Sequence, residues 1–268
     1  FHAGGHEDPK PLKENEGKCF IGSYVLGMGF TFDDTNPEAT PIAEMHRLIE
    51  KDPRNAERIF PYLGGEELNT SPTHAHHRYV INFGQMTEVE ARRWPDLLEI
   101  VEKKVKPERT KLGDNPDGRR RKACWWQWGR YTPALFERLG DISRCLCIAR
   151  VSQHASFAWI PAALVPSEQL VVSANDSDSF FAVLQSRPHE LWARFFSSSL
   201  EDRLRYGPSD CFETFPFPPG WGASPVLSLV GKEYCDCRAA LLRKKGDGLT
   251  TLYNRFHDPD ETSPDILR

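Results

Sequence analysis

Apolar and aromatic residues crowd the stretch from Lys18 to Phe32, KCFIGSYVLGMGFTF, and Gly22, Gly27 and Gly29 interrupt them. That pattern predicts two short strands joined through a turn or bulge. Further on, Ile42, Met45, Leu48 and Ile49 recur at helical spacing behind Thr40 and Pro41. They predict a helix with Thr40 as its N-cap and Pro41 at its first position, ending before Pro53. HRYVINFG alternates as a strand does, and Thr87 opens a helix through EVEARRWPDLLEIVEKKVK that Pro95 breaks or kinks. PERTKLGDNPDGRRRKA has no apolar period and reads as a loop, whereas CWWQWGRYTPALFERLG is helical near its end. RCLCIARVS, SFAWIPA and QLVVSA predict short strands, and DSFFAVLQSRPHELWARFFSSSL an amphipathic helix broken near Pro188. Pro216, Pro218 and Pro219 close this body, and residues 226–252 form a separate helical stretch interrupted near Gly246 and Gly248. No internal repeat and no regular βαβ cycle emerges. The expected class is α/β in the α+β sense: a mixed, mostly antiparallel sheet with flanking helices, plus a helical C-terminal segment.

With 268 residues, 39% of them hydrophobic, the chain can bury one good core or a larger domain with a small appendage. No apolar run approaches the roughly 18 residues of a membrane span, and the polar opening FHAGGHEDPKPLKENEG has no signal-peptide character, which predicts a cytoplasmic protein. The irregular opening without an initiator methionine and the final SPDILR are expected of a segment of a longer polypeptide. Seven cysteines, with Cys19, Cys124 and Cys211 isolated in apolar surroundings, predict buried reduced thiols. The net charge of −4 argues against indiscriminate coating of nucleic acid. Its distribution changes the picture: Arg92 to Arg150 hold 15 Lys and Arg against 8 Asp and Glu, a local +7 that leaves −11 for the rest.

Several stretches are candidates for chemistry. LGMGF lacks the third glycine and the acidic ribose partner of a dinucleotide loop, so Gly27 and Gly29 read as turn glycines. No Asp/Asn/Ser-Pro-Pro-aromatic motif of an amino-methylating enzyme occurs, and the FPFPPGW run lacks its polar first residue. His74, His76 and His77 are close enough to raise a metal-dependent small-molecule hydrolase as an alternative, although the spacing is unspecific for zinc and the expected metal site is none. In RRRKACWWQWGRY, cations precede Trp125, Trp126, Trp128 and Tyr131. The cations suit phosphates; the tryptophans either stack on bases or anchor a core, or serve a protein partner in a pure interaction module. In SSSLEDRLRYG, Glu201 can accept from cytosine N4 while Arg203 donates twice to guanine. The same charges could equally form an ion-paired exposed turn.

The blocks FIGSYVLGMGF, LIEKDPRNAERIFPYLGGEELN, RYVINFG, KVKPER, WWQWGR, LQSRPHELWARFFSSSLEDRLRYGPSDCFETFPFP and GLTTLYNRFHDPDETSPDIL together resemble the C-terminal half of MmeI-like DNA methyltransferases, many of them fused type II restriction-modification enzymes. The order of strand, helix and PYLGGEEL is also similar to TaqI-like and type I specificity-subunit target-recognition domains. The resemblance implies a target-recognition domain over 18–222, a linker from a catalytic domain over 1–17 and a truncated helical segment over 223–268. It implies double-stranded DNA and the catalytic methyltransferase domain of the same polypeptide as partners, with no catalytic residue in this chain. It implies no cofactor here, but S-adenosylmethionine in a parent that methylates adenine N6, and Mg²⁺ if a nuclease is fused. In such enzymes a charged pair in an E-x-R-Y-R-Y-like block helps to read one base pair. EDRLRYG matches it at Glu201, Arg203, Arg205 and Tyr206 and departs at Leu204, which leaves the register open. Base reading is accordingly expected of Glu201 and Arg203, with Gln153 and His154 as further candidates. Phosphate contacts are expected of Lys106, Arg109, Arg119, Arg120, Arg121, Arg130 and Arg205.

Overall fold

The computed structural model describes residues 9–197, 199–200 and 203–266. Its strands are β1 (Cys19–Ile21), β2 (Thr31–Phe32), β3 (Ile59–Leu63), β4 (Arg78–Ile81), β5 (Arg144–Ala149), β6 (Val151–Ser152), β7 (Ala158–Pro161), β8 (Val165–Pro166), β9 (Leu170–Ser173), β10 (Ser199–Leu200) and β11 (Arg203–Arg205). Among these lie α1 (Ile42–Lys51), α2 (Gly65–Thr70), α3 (Glu88–Ala91), α4 (Pro95–Lys104), α5 (Lys106–Thr110), α6 (Pro116–Ala123), α7 (Pro133–Leu139), α8 (Asp178–Leu184) and α9 (Arg187–Phe196). The tail carries α10 (Pro225–Lys245) and α11 (Leu249–Phe256).

Three small sheets result. One runs β1-β9-β5-β7 and is antiparallel throughout; a second runs β2-β4-β3-β8, antiparallel except where β8 joins β3; the third is β10-β11-β6. Successive strand residues face opposite ways, so β5, central in its sheet, feeds two cores. Cys145, Cys147 and Ala149 join Leu249, Leu252 and Tyr253 on one side, while Leu146 and Ile148 meet Phe180, Phe181, Leu204 and Tyr206 on the other. A third core gathers Phe30, Phe32, Val80, Leu97 and Val101 around Trp125, Trp126 and Trp128. The mixed α/β class with largely antiparallel sheets and flanking helices agrees with the sequence reading.

Local chemistry decides the departures from that reading. Pro41, not Thr40, occupies the N-cap of α1 and makes no side-chain cap bond, and Thr40 is buried with its hydroxyl unpartnered. The stretch expected as a loop holds α5 and α6. Asn115 caps α6 by accepting from the Gly118 amide at 2.8 Å, and Pro116 holds the first position, so the local Asn-Pro signal outweighs the missing apolar period. The residues of α10 and α11 pack into the body: the buried Arg238 donates to Phe157 O at 2.6 Å and to the Tyr253 hydroxyl at 3.1 Å. All seven cysteines are free, yet Cys237 is exposed and Cys124 and Cys235 are half-buried, because helix faces and the α6 end carry them.

His189 sits under β11, stacked on Phe215 at 4.6 Å, and its Nε2 lies 3.1 Å from the Tyr206 hydroxyl. Its Nδ1 is buried without a partner. Desolvation pushes its pKa from 6.5 down to about 3. The fold therefore favours the neutral ring: this contribution is complete above about pH 6.5 and drains as pH falls toward 3. Between pH 7 and about 4.5 wild type is expected to lose roughly 3 kcal/mol through this group, and a His189→Gln variant to lack that part of the pH slope. Urea unfolding at the two pH values measures it; an identical slope in both proteins contradicts the assignment.

Candidate nucleic-acid interface

Arg150 is the pivot of the site. After Ala149 the strand leaves one sheet for another: the Arg150 amide still donates to Gln169 O at 2.8 Å, while its carbonyl accepts from the Tyr206 amide at 2.8 Å. Its Nη1 donates to Glu168 O at 3.1 Å and to the Tyr24 hydroxyl at 3.2 Å. Where the sheets part, an open cleft of about 610 Å³ remains, lined by Glu66, Asn69, Arg150, Glu168, Gln169 and Arg205, among others. The Gln169 side chain is fixed through Oε1, which accepts from the Gly65 amide at 3.0 Å, and the Oδ1 of Asn69 is buried and unpartnered.

On the small sheet, Leu204 pairs with Ser152 and Arg205 with Val151. Strand alternation sends Leu204 into the core and leaves Arg203 and Arg205 exposed on the opposite face. Neither arginine has an ion-pair partner among the described residues. Glu201 lies outside the described residues. The period-two order Arg203-Leu204-Arg205-Tyr206 is the mark of β11 in the sequence, overlaid by the charge alternation.

The remaining expected contacts divide. His154 is buried, its Nε2 2.7 Å from Asn254 Oδ1 and its ring against those of Tyr253 and His257, so its polar edge is already engaged within the body and the base-reading expectation is corrected. Gln153 has an exposed side chain, and its carbonyl accepts from Arg194. Arg109 is likewise corrected. It is buried, its Nη1 donating to the carbonyls of Cys124, Trp125 and Gln127 and its Nη2 to that of Leu26, and desolvation, helped by Arg121 and Arg120, brings its pKa down to about 10. Lys106 lies over Trp125 and pairs with Glu102 at 2.6 Å. Arg119 pairs with Asp114 at 2.9 Å and Arg121 with Asp117 at 2.9 Å. Arg120 donates to Gly129 O and lies 3.8 Å from Asp117. Arg130 is exposed and rests over the Tyr24 ring at 5.3 Å. Exposed pairs of this kind are worth under about 1 kcal/mol, so Lys106, Arg119 and Arg120 remain free to exchange a carboxylate for a phosphate.

The competing readings lose their geometry. Trp125, Trp126 and Trp128 are all buried, and the indole nitrogens of the last two donate to Met86 O and Ile81 O at 2.8 Å, so none offers a face for stacking. His74 bonds Leu68 O, His76 packs edge-on to Tyr79 and His77 lies 3.7 Å from Glu67; the three serve different neighbours. Among the described residues no group of three or more His, Cys, Asp or Glu could hold a metal ion. Nor is there a cofactor cradle at LGMGF: a Cβ on Gly29 would come within 2.5 Å of Lys104 Cβ, so the space beside this glycine is filled by α4. Among the described residues no helix is long and apolar enough to cross a membrane.

An exposed arginine strand beside a polar cleft, carried on small sheets braced by helices, has the geometry of a recognition module. The family model for the MmeI target recognition domain matches residues 33–219, and the chain belongs to that family. The solved structure of the Type IIL restriction-modification enzyme MmeI in complex with DNA matches with a TM-score of 0.64 at 19% identity, over 98% of this chain and 31% of that one. At that identity the likeness is one of fold, and this chain spans about a third of the length of the enzyme it matches. No curated protein matches the chain in sequence.

Proposed function

We propose that this chain reads a short sequence of double-stranded DNA from the major groove, with β11 and the Arg150 cleft as its reading surface. One observation carries the proposal: Arg203 and Arg205 project from the same strand face, unpaired among the described residues, beside a cleft with Asn and Gln amides and the Glu66 carboxylate. Arginine forks suit guanine O6 and N7, amides suit adenine N6 and N7, and a carboxylate suits cytosine N4. Residues two apart on a strand are about 6.8 Å apart, close to two base-pair steps of about 3.4 Å, so the two arginines can address bases two positions apart. Glu201 would complete a C·G reading with Arg203. Arg130, Arg119 and Arg120 supply phosphate contacts that fix the register.

The parent polypeptide would transfer a methyl group from S-adenosylmethionine to adenine N6, with Mg²⁺ added if a nuclease is fused; that chemistry belongs outside this chain. No step of the DNA reading proposed for this chain is routed through S-adenosylmethionine. The division into a recognition body over 18–222, preceded by a linker and followed by a helical segment over 223–268, belongs to the same proposal, as do the catalytic domain as its partner and a cytoplasmic location.

Fluorescence anisotropy of a labelled random-sequence duplex tests the binding. Log affinity is expected to fall linearly with log salt, and Arg130→Ala to weaken binding to all sequences alike while lowering the slope by about 1. Affinity independent of salt, or unchanged in Arg130→Ala with Arg119→Ala and Arg120→Ala combined, contradicts it and leaves the protein-interaction module in its place.

A further inference from the structure

Leu26 stands out on this surface. Its φ is 51°, the left-handed region that a branched side chain rarely adopts, and its side chain is 45% exposed. Such a conformation persists only where its surroundings impose it. Here they do so on both sides. The Val25 carbonyl accepts from the Gly129 amide at 3.1 Å, the Tyr24 carbonyl from the Arg130 amide at 3.0 Å, and the Leu26 carbonyl from the buried Arg109 at 3.2 Å. The Leu26 side chain lies directly on Gly129, where an added Cβ would come within 2.4 Å of Leu26 Cδ1. The apolar group is thereby held rigidly at the surface.

Its neighbours are the cations of the proposed interface. Arg120 reaches the Gly129 carbonyl, Arg130 covers Tyr24, and the Tyr24 hydroxyl bonds Arg150, which lines the reading cleft. A continuous chain of contacts therefore runs from Arg205's cleft to Leu26. Apolar side chains flanked by phosphate-binding cations are the means by which proteins part a base step and kink a duplex.

We infer that Leu26 is a wedge: the nearby Arg120 and Arg130 grip the duplex backbone, and the leucine presses between two base pairs and partly unstacks them. The inference rests on the DNA-reading proposal. It gives a role to the exposure of a side chain whose backbone the neighbouring bonds already fix.

A wedge binds more tightly where the stack is already weakened. The test uses this chain and random-sequence duplexes of about 30 bp, intact or with a central abasic site, at low salt. Wild type is expected to prefer the abasic duplex by about fivefold or more. Leu26→Asn and Leu26→Gly, whose residues suit the left-handed backbone, are expected to melt no earlier than wild type and to lose the preference while keeping the salt slope. Arg130→Ala is expected to weaken both duplexes equally. Wild type binding both duplexes alike, or the two Leu26 variants retaining the preference, overturns the wedge and leaves DNA reading intact. Failure of wild type to bind either duplex overturns the reading on which it rests.

Discussion

Replacing Arg109 with methionine is expected to cost the fold about 3–5 kcal/mol, because it leaves several buried backbone carbonyls without a donor. The guanidinium serves four backbone carbonyls from two loops, those of Leu26, Cys124, Trp125 and Gln127, and it also lies over the Phe30 ring. Each bond from a charged donor contributes roughly 1.5–3 kcal/mol, without additivity, and methionine keeps the volume while abandoning all four acceptors. Urea unfolding should show a lower midpoint with an unchanged slope. What remains folded should bind duplex DNA with the wild-type salt slope, because Arg109 touches no phosphate. A stable Arg109→Met protein with a slope reduced by about 1 would instead make Arg109 a phosphate contact and the geometry described above wrong.

Arg205→Ala carries the second large effect, and it should fall on specificity rather than on stability. Arg205 is exposed and opposite Val151 on a short strand, so its loss leaves no buried acceptor behind. As a fork on one guanine it contributes about 1–3 kcal/mol of discrimination, or roughly tenfold to a hundredfold against the wrong base pair at that position. As a phosphate contact, the role expected from its sequence alone, it would weaken every sequence equally and reduce the salt slope. Competition between a preferred duplex and versions altered one base pair at a time separates these outcomes. Relaxation at a single position is expected; uniform weakening returns Arg205 to the backbone.

How far the sequence reaches depends on the signal each part uses. The amphipathic period of α1 and α9, the apolar, cysteine-rich run of β5 and the helix start at Thr87 are local, and the structure carries them as read. The Thr87 hydroxyl accepts from the Glu90 amide at 3.3 Å, and the Glu90 carboxylate returns the bond at 2.8 Å. α6 escaped because it has no apolar period, with five of its eight residues charged, so its only marks are the Asn115 cap and Pro116. β11 escaped because its short period-two order lies in a charge-dense stretch that reads equally as an ion-paired turn.

The site was legible only in part. Arg203, Arg205 and Arg130 are visible as cations in charged or aromatic contexts. Arg150, Asn69, Glu66 and Gln169 were missed, since they meet only where β5 passes to another sheet, and nothing in their neighbours announces that crossing. Arg109 and His154 show the converse. A basic or imidazole side chain in a suggestive segment can equally be spent on carbonyls or on a neighbouring amide, and its own burial decides between the two.

The central claim is that this chain carries sequence specificity for DNA. Selection from a random double-stranded pool, followed by sequencing of the bound fraction, tests it most directly. The account predicts enrichment of one short asymmetric motif containing a G·C pair that becomes variable when the same selection uses Arg205→Ala. Duplexes retained without any enriched motif would contradict it and reduce the surface to a backbone grip.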